Sequence, residues 1–209
     1  MFFNLVLLVI LLFSLKLLVD LIRGKPIYFP LPKNTIRKVF RDLKISKKDT
    51  VLDLGSGDGR VLIIAVKEFG CKKAYGIEIN YFLYLISKLL VKINGLENKI
   101  EIIHGDFLKV KWPKANVITM YLLWGIMKDV EEKLLKEVKK AKIISFAHKL
   151  PNLKENKKIK TGHFYTYFYF LNCVKWHFPQ YNLSLCSDKK DPHLGQKFLI
   201  LTSLSPSIL

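Results

Sequence analysis

Residues 2–22 form a nearly unbroken apolar run in which Lys16 and Asp20 come late. Beyond it the pattern becomes periodic. Ile36, Val39, Phe40 and Leu43 recur at i, i+3, i+4 and i+7, the stripe of an amphipathic helix, and Asn34 or Thr35 is placed to cap it. From position 51 onward, short apolar runs alternate with helix-period segments. The runs predict strands over 51–54, 74–77, 100–103, 115–121 and 142–147. The segments between them predict helices over 60–69, 81–94 and 129–141. In the second of these, Leu85, Ile86, Leu89 and Leu90 are expected to face inward, and Gly95 to end the helix at its C′ position. The third carries Glu/Lys pairs on its exposed face.

Strands alternating with helices at this spacing predict βαβ units and a parallel sheet, an α/β fold. Two further runs, 164–171 and 197–204, are rich in aromatic and β-branched residues. They predict a terminal pair like a hairpin, with a long irregular insertion around Pro179 and Pro192.

The chain divides at its prolines. Residues 24–32 hold Pro26, Pro30 and Pro32, which fix an extended path and exclude helix. Residues 1–23 are expected to be a transmembrane anchor, 24–32 a linker, and 33–209 one catalytic domain. Roughly 20 apolar residues span a bilayer. No Lys or Arg precedes Lys16, so the early positive region of a cleaved signal peptide is missing. Arg23 and Lys25 follow the run, and basic residues mark the cytoplasmic flank. The expectation is a single-pass membrane protein with its domain in the cytoplasm.

Composition adds two points. Cys71, Cys173 and Cys186 are scattered, which is no disulfide framework and fits a reducing compartment. The formal charge is +18, from 35 basic and 17 acidic residues. A charge of that size favours acidic partners, nucleic acid or an anionic membrane among them. The lysines are spread along the chain, however, as a lysine-rich surface would have them.

The chemistry concentrates in residues 51–60, V-L-D-L-G-S-G-D-G-R. A buried strand leads into a turn with glycine at alternate positions, and a helix follows. Gly55 and Gly57 let backbone N–H groups approach a ligand without a Cβ in the way. The third glycine of the dinucleotide fingerprint is absent, since Arg60 stands there, and there is no Gly-Lys-Ser/Thr of a P-loop. Asp53, just before the turn, would repel a pyrophosphate and welcome an ammonium. Glu78, at the end of the second strand, is placed to accept from ribose hydroxyls, and Asp106, after the third, to accept from an exocyclic amine. An ammonium, a ribose and an adenine amine are the donors of S-adenosylmethionine.

These residues, with Y-G-I-E-I-N (75–80) and H-G-D-F (104–107), resemble the first three motifs of the class I S-adenosylmethionine-dependent methyltransferases. The resemblance implies a Rossmann-like seven-stranded sheet, mostly parallel with the last strand antiparallel. It also implies that Asp53, Gly55, Ser56 and Gly57 hold the methionine part, Glu78 and Asn80 the ribose side, and Asp106 with the backbone of Phe107 the adenine.

The fourth strand end, N-V-I-T-M-Y-L-L-W (116–124), lacks the Pro-Pro pair of amide and adenine-amine methyltransferases, and no catalytic cysteine follows a proline. Together with I-I-S-F-A-H (143–148), it is similar to the archaeal broad-specificity protein-lysine methyltransferases and to the membrane-anchored enzymes acting on the ATP synthase c-subunit. That branch shares Tyr-x-Pro-x-Pro before the first helix. Here it reads Tyr28-Phe-Pro30-Leu-Pro32, and this match implies a cofactor contact for Tyr28, while Leu31 departs from the threonine common in that branch. The partner implied is a protein lysine, membrane-associated or not; RNA or a small molecule is the second reading.

Only a neutral amine can attack a methyl sulfonium, and alignment does most of such catalysis. Tyr121 is the residue expected to line the acceptor channel and orient the amine, with Trp124 and Phe146 behind it. The spacings of Cys173, His177, Cys186 and His193 match no usual zinc set, so no metal is expected. The aromatic run 164–170, preceded by Lys157, Lys158 and Lys160, could stack single-stranded RNA, but strand packing explains it more simply.

Overall fold

A computed structural model describes Asn4, Leu7, Leu8, Leu11 and residues 28–174 and 185–186. The chain separates into two units, Met1–Leu31 and Pro32–Leu209. In the first, Asn4, Leu7, Leu8 and Leu11 are helical and exposed. No helix among the described residues is long and apolar enough to cross a membrane. Most of the run behind the anchor expectation lies outside the described residues.

The second unit is built on one mixed sheet. Its strands are β1 (Thr50–Leu54), β2 (Lys73–Glu78), β3 (Ile100–His104), β4 (Val117–Met120), β5 (Lys140–Phe146), β6 (Lys157–Thr161) and β7 (Phe164–Val174). They lie in the order β3-β2-β1-β4-β5-β7-β6. All neighbours from β3 to β5 are parallel, and β7 is antiparallel to both β5 and β6. This is the expected seven-stranded sheet with one reversed strand. A two-residue β8 (Leu185–Cys186) pairs with the end of β7.

The helices are α1 (Lys33–Asp42), α2 (Arg60–Lys67), α3 (Tyr81–Ile93) and α4 (Met127–Glu137). In α1 the predicted stripe is the buried one, Ile36, Val39 and Phe40. Its cap differs from expectation. Pro32 takes the N-cap position without a side-chain bond, and the Asn34 Oδ1 accepts instead from Arg37. Proline suits this place because the first helical N–H groups need no partner within the helix. The basic face of α1 is partly engaged, since Arg37 makes a bidentate pair with Glu68 at 2.7 and 2.8 Å.

Helix α3 overturns a larger expectation. Leu85, Ile86 and Leu89 face solvent, Leu90 is half-buried, and Ser87 and Val91 form the buried seam. Nearly the whole circumference of this helix is apolar, so periodicity could not choose a side. Packing chose the small residue: a Cβ added at Gly59 would lie 3.3 Å from Ser87 Cβ, so α3 approaches the start of α2 through its narrowest side chain. Its end matches the reading. Gly95 at φ +64° lets Gly95 N–H bond Lys92 O and Leu96 N–H bond Val91 O, a Schellman closure.

The C-terminal pairing is also corrected. The hairpin partner of the aromatic strand is β6, upstream across Gly162, while residues 197–204 lie outside the described residues. The lysine alternation of K-K-I-K-T hid an edge strand, where charged side chains are tolerated. The aromatic run behaves as strand. Phe168 and Tyr169 are buried, and Lys157 and Lys158 lie over the Phe168 and Tyr165 rings.

Candidate active site

The site residues gather because parallel strands end on one edge. Asp53, next to last in β1, stands in register with Gly76 of β2 and Thr119 of β4. Its side chain is buried, and its Oδ1 accepts from Thr119 Oγ1 at 2.6 Å. Burial pushes the Asp53 carboxyl up to about 8. The Thr119 hydrogen bond works against this shift, and the negative charges of Glu78 and Asp58 add to it.

The turn after β1 requires its glycines. Gly55, Gly57 and Gly59 have φ of +73°, +56° and +78°, in the left-handed region. A Cβ at Gly55 would meet Leu122 Cδ2 at 2.9 Å, so the chain after β4 closes directly on the turn. Gly55 and Ser56 N–H groups both bond Ile77 O. Glu78 completes the tie: its Oε2 accepts from Gly57 N–H at 2.7 Å and its Oε1 from Asn80 N–H at 2.8 Å. Each carboxylate oxygen keeps a further lone pair for a hydroxyl.

Ser56 Oγ is buried without a hydrogen-bond partner among the described residues, pressed against the bare Cα of Gly76. Asn80 serves the helix, its Oδ1 accepting from Phe82 and Leu83 N–H as the N-cap of α3. Asp106 is half-buried and organises the next turn, accepting from Leu108 N–H at 2.9 Å. Phe107 is buried, and its carbonyl accepts from Trp112 Nε1. Tyr28 belongs to the N-terminal unit and its side chain is exposed.

At the end of β4, Tyr121 is half-buried and stacks on Phe164 with ring centres 5.7 Å apart and planes 25° apart. Phe146 meets it edge-on at 6.4 Å. Trp124 is not in this cluster. It is 77% exposed at the head of a short 3-10 turn, Trp124–Ile126, where the chain turns outward into α4. After β5, Ala147 has φ +67°, a conformation costly for any residue with a Cβ.

Three contributors were not apparent in the sequence. Thr119 read as an ordinary strand residue, yet it bonds Asp53. Lys133 in α4 clasps the chain after β3 by donating to Leu108 O and Val110 O at 2.9 and 2.7 Å. Phe164 joins the Tyr121 stack. Of the scattered cysteines and histidines, Cys173 and Cys186 are register partners of β7 and β8, while His177 and His193 lie outside the described residues.

A sheet with this strand order, and acceptor-only side chains at the ends of β1, β2 and β3 around a glycine turn, define the class of S-adenosylmethionine-dependent methyltransferases. Three carboxylates along one sheet edge are acceptors of the kind that suit a ligand bringing an ammonium, ribose hydroxyls and an exocyclic amine. Residues 53–157 match the ANTKMT methyltransferase domain, and the chain belongs to that family. It is 36% identical over 138 residues to a "Protein-lysine N-methyltransferase" of Saccharolobus islandicus, covering 65% of this chain and 86% of that protein. It is 29% identical over 126 residues to a lysine N-methyltransferase of Xenopus laevis named for the ATP synthase c-subunit, covering 60% of this chain and 54% of the relative. An RNA methyltransferase from Salinibacter ruber, crystallised with S-adenosyl-L-homocysteine, superposes with a TM-score of 0.65 at 24% identity, over 68% of this chain and 93% of that one. At that identity the likeness concerns the fold.

Proposed function

We propose that the protein is a protein-lysine N-methyltransferase, anchored to a membrane by residues 1–23, with its catalytic domain on the cytoplasmic side. The observation that carries the acceptor is the aromatic cluster of Tyr121, Phe146 and Phe164, in which Tyr121 follows β4, the neighbour of the strand that leads into the glycine turn. The likeness to relatives named for lysine methylation supports it. The nearly unbroken apolar run 2–22 supports the anchor.

S-adenosylmethionine supplies, when bound, a methyl group on a sulfonium. In this reading Asp53 holds the ammonium end, with Gly55, Ser56 and Gly57 giving the backbone close approach. Glu78 takes the ribose hydroxyls, and Asn80 fixes the start of α3 beside it. Asp106 and the backbone of Phe107 take the adenine.

The acceptor must lose a proton. A lysine amine has a reference pKa near 10.4, so presenting it neutral at pH 7.4 costs about 4 kcal/mol. The three aromatic rings lower that cost by excluding water, which disfavours the ammonium form. The Tyr121 hydroxyl orients the amine lone pair, and positioning supplies the rest.

The test is incubation of the full chain with methyl-labelled cofactor and host membranes, followed by separation of protein, RNA and lipid. Label on lysine Nζ of a protein is expected. Label confined to RNA, which the charge of +18 would favour, or to lipid would overturn the reading.

A further inference from the structure

Helix α3 has a surface that the catalytic reading does not use. Tyr81, Phe82, Leu85, Ile86, Leu89 and Ile93 are each between 43% and 70% exposed. At 100° per residue they occupy one arc of about 140°. Lys88 borders that arc at its Tyr81 edge, Lys92 lies just inside the same edge, and the helix contains no acidic residue. The opposite arc, with Ser87 and Val91, is the seam against the sheet.

The charge around the arc argues for one kind of occupant. Two copies of a chain carrying +18 repel one another, whereas an anionic surface attracts both lysines and the molecule as a whole. A broad apolar arc with aromatic residues at its start and lysines along its edge is the pattern of a helix lying in a membrane interface. Glu97 and Glu101 are acidic groups near this helix. They lie with Lys88 and Lys92 around a cavity of about 340 Å³ between α3 and β3, on the lysine side of the arc.

We propose that α3 is a docking helix for an anionic lipid bilayer, with Leu85, Ile86, Leu89 and Ile93 entering the acyl boundary and Lys88 and Lys92 on the headgroups. The helix begins three residues after Glu78, at the sheet edge that bears the site. Docking through it therefore sets that edge beside the bilayer surface. The inference stands on the helix face and requires neither the lysine acceptor nor the N-terminal anchor.

The test uses the full chain with Leu89→Cys carrying an environment-sensitive fluorophore. Cys173 and Cys186 are replaced by serine; Cys71 is buried. Vesicles of equal phosphatidylglycerol and phosphatidylcholine are compared with pure phosphatidylcholine. Blue-shifted emission, quenched by nitroxide-labelled lipid, is expected only with the anionic vesicles and is expected to vanish at high salt. Lys88→Gln together with Lys92→Gln is expected to weaken this docking equilibrium about thirtyfold, since each basic residue near such a surface contributes about one kilocalorie. Cofactor binding by the labelled chain shows that the fold is kept, because position 89 is exposed.

A label that stays in water while the chain binds vesicles would overturn the proposal, because membrane contact would then lie elsewhere. An emission shift that follows protein concentration without lipid would overturn it in favour of a second copy as the occupant.

Discussion

Asp53 should make cofactor binding depend on pH. Its carboxyl titrates at about 8 in the free protein, so at pH 6 it is almost wholly protonated. A protonated carboxyl has no charge to offer an ammonium. Binding through Asp53 therefore requires a proton to leave, and affinity should climb as pH rises toward 8. For one coupled proton the gain between pH 6 and pH 8 is about 50-fold, from ~(1 + 100)/(1 + 1). The same shift opposes folding as pH rises. The folded pKa lies above the usual 3.8, so the stabilising contribution is complete below pH 3.8 and is lost as pH rises toward 8.

The assay is calorimetry with S-adenosylhomocysteine, which carries the same amino-acid end, in buffers of different ionisation enthalpy. Close to one proton should be released per ligand at pH 6.5. Asp53→Asn should flatten the pH dependence and cost roughly tenfold to 150-fold at pH 8, the range for a hydrogen bond to a charged group. Wild-type affinity independent of pH from 6 to 8, or an Asp53→Asn variant with the same slope, would refute the reasoning.

Other substitutions test the scaffold. Gly76→Ala places a Cβ within 2.7 Å of Ser56 and Leu62, and overpacking of this kind should cost about 1–3 kcal/mol, read as a lower Tm; unchanged Tm would mean that Ser56 moves freely. Ala147→Gly should stabilise by about 0.5–1 kcal/mol in urea unfolding, because it relieves the left-handed strain and returns part of the gain as unfolded-chain entropy. A loss of stability there would contradict the strain. Glu131 is buried, and its carboxylate accepts from Asn152 N–H and Nδ2 and from Leu153 N–H. Glu131→Ala should cost about 3 kcal/mol by orphaning these donors, and a change within ~0.5 kcal/mol would place the residue among ordinary surface positions.

Much of the candidate site's geometry was legible because it is local. Glycines that need positive φ, and carboxylates at three strand ends, can be read from a single stretch each. The fold followed from strand and helix periods, and the reversed strand from the family resemblance. What stayed hidden depends on residues distant in sequence. Thr119 meets Asp53 across 66 positions, and Phe164 meets Tyr121 only because β7, which it opens, starts beside the end of β5 and runs antiparallel to it. Glu131 and Lys133 looked like members of a solvated Glu/Lys face, yet both point to loops that they hold. The orientation of α3 was illegible for another reason: an almost wholly apolar helix carries no phase for a pattern to report. The pairing of β6 was masked by its own lysines.

A crystal structure with S-adenosylhomocysteine bound tests the central claim most directly. The account expects the ligand's ammonium on Asp53, its ribose on Glu78, its adenine at Asp106, and its sulfur facing the Tyr121–Phe164 stack. A ligand bound away from these carboxylates, or one whose sulfur faces away from those rings, would contradict it.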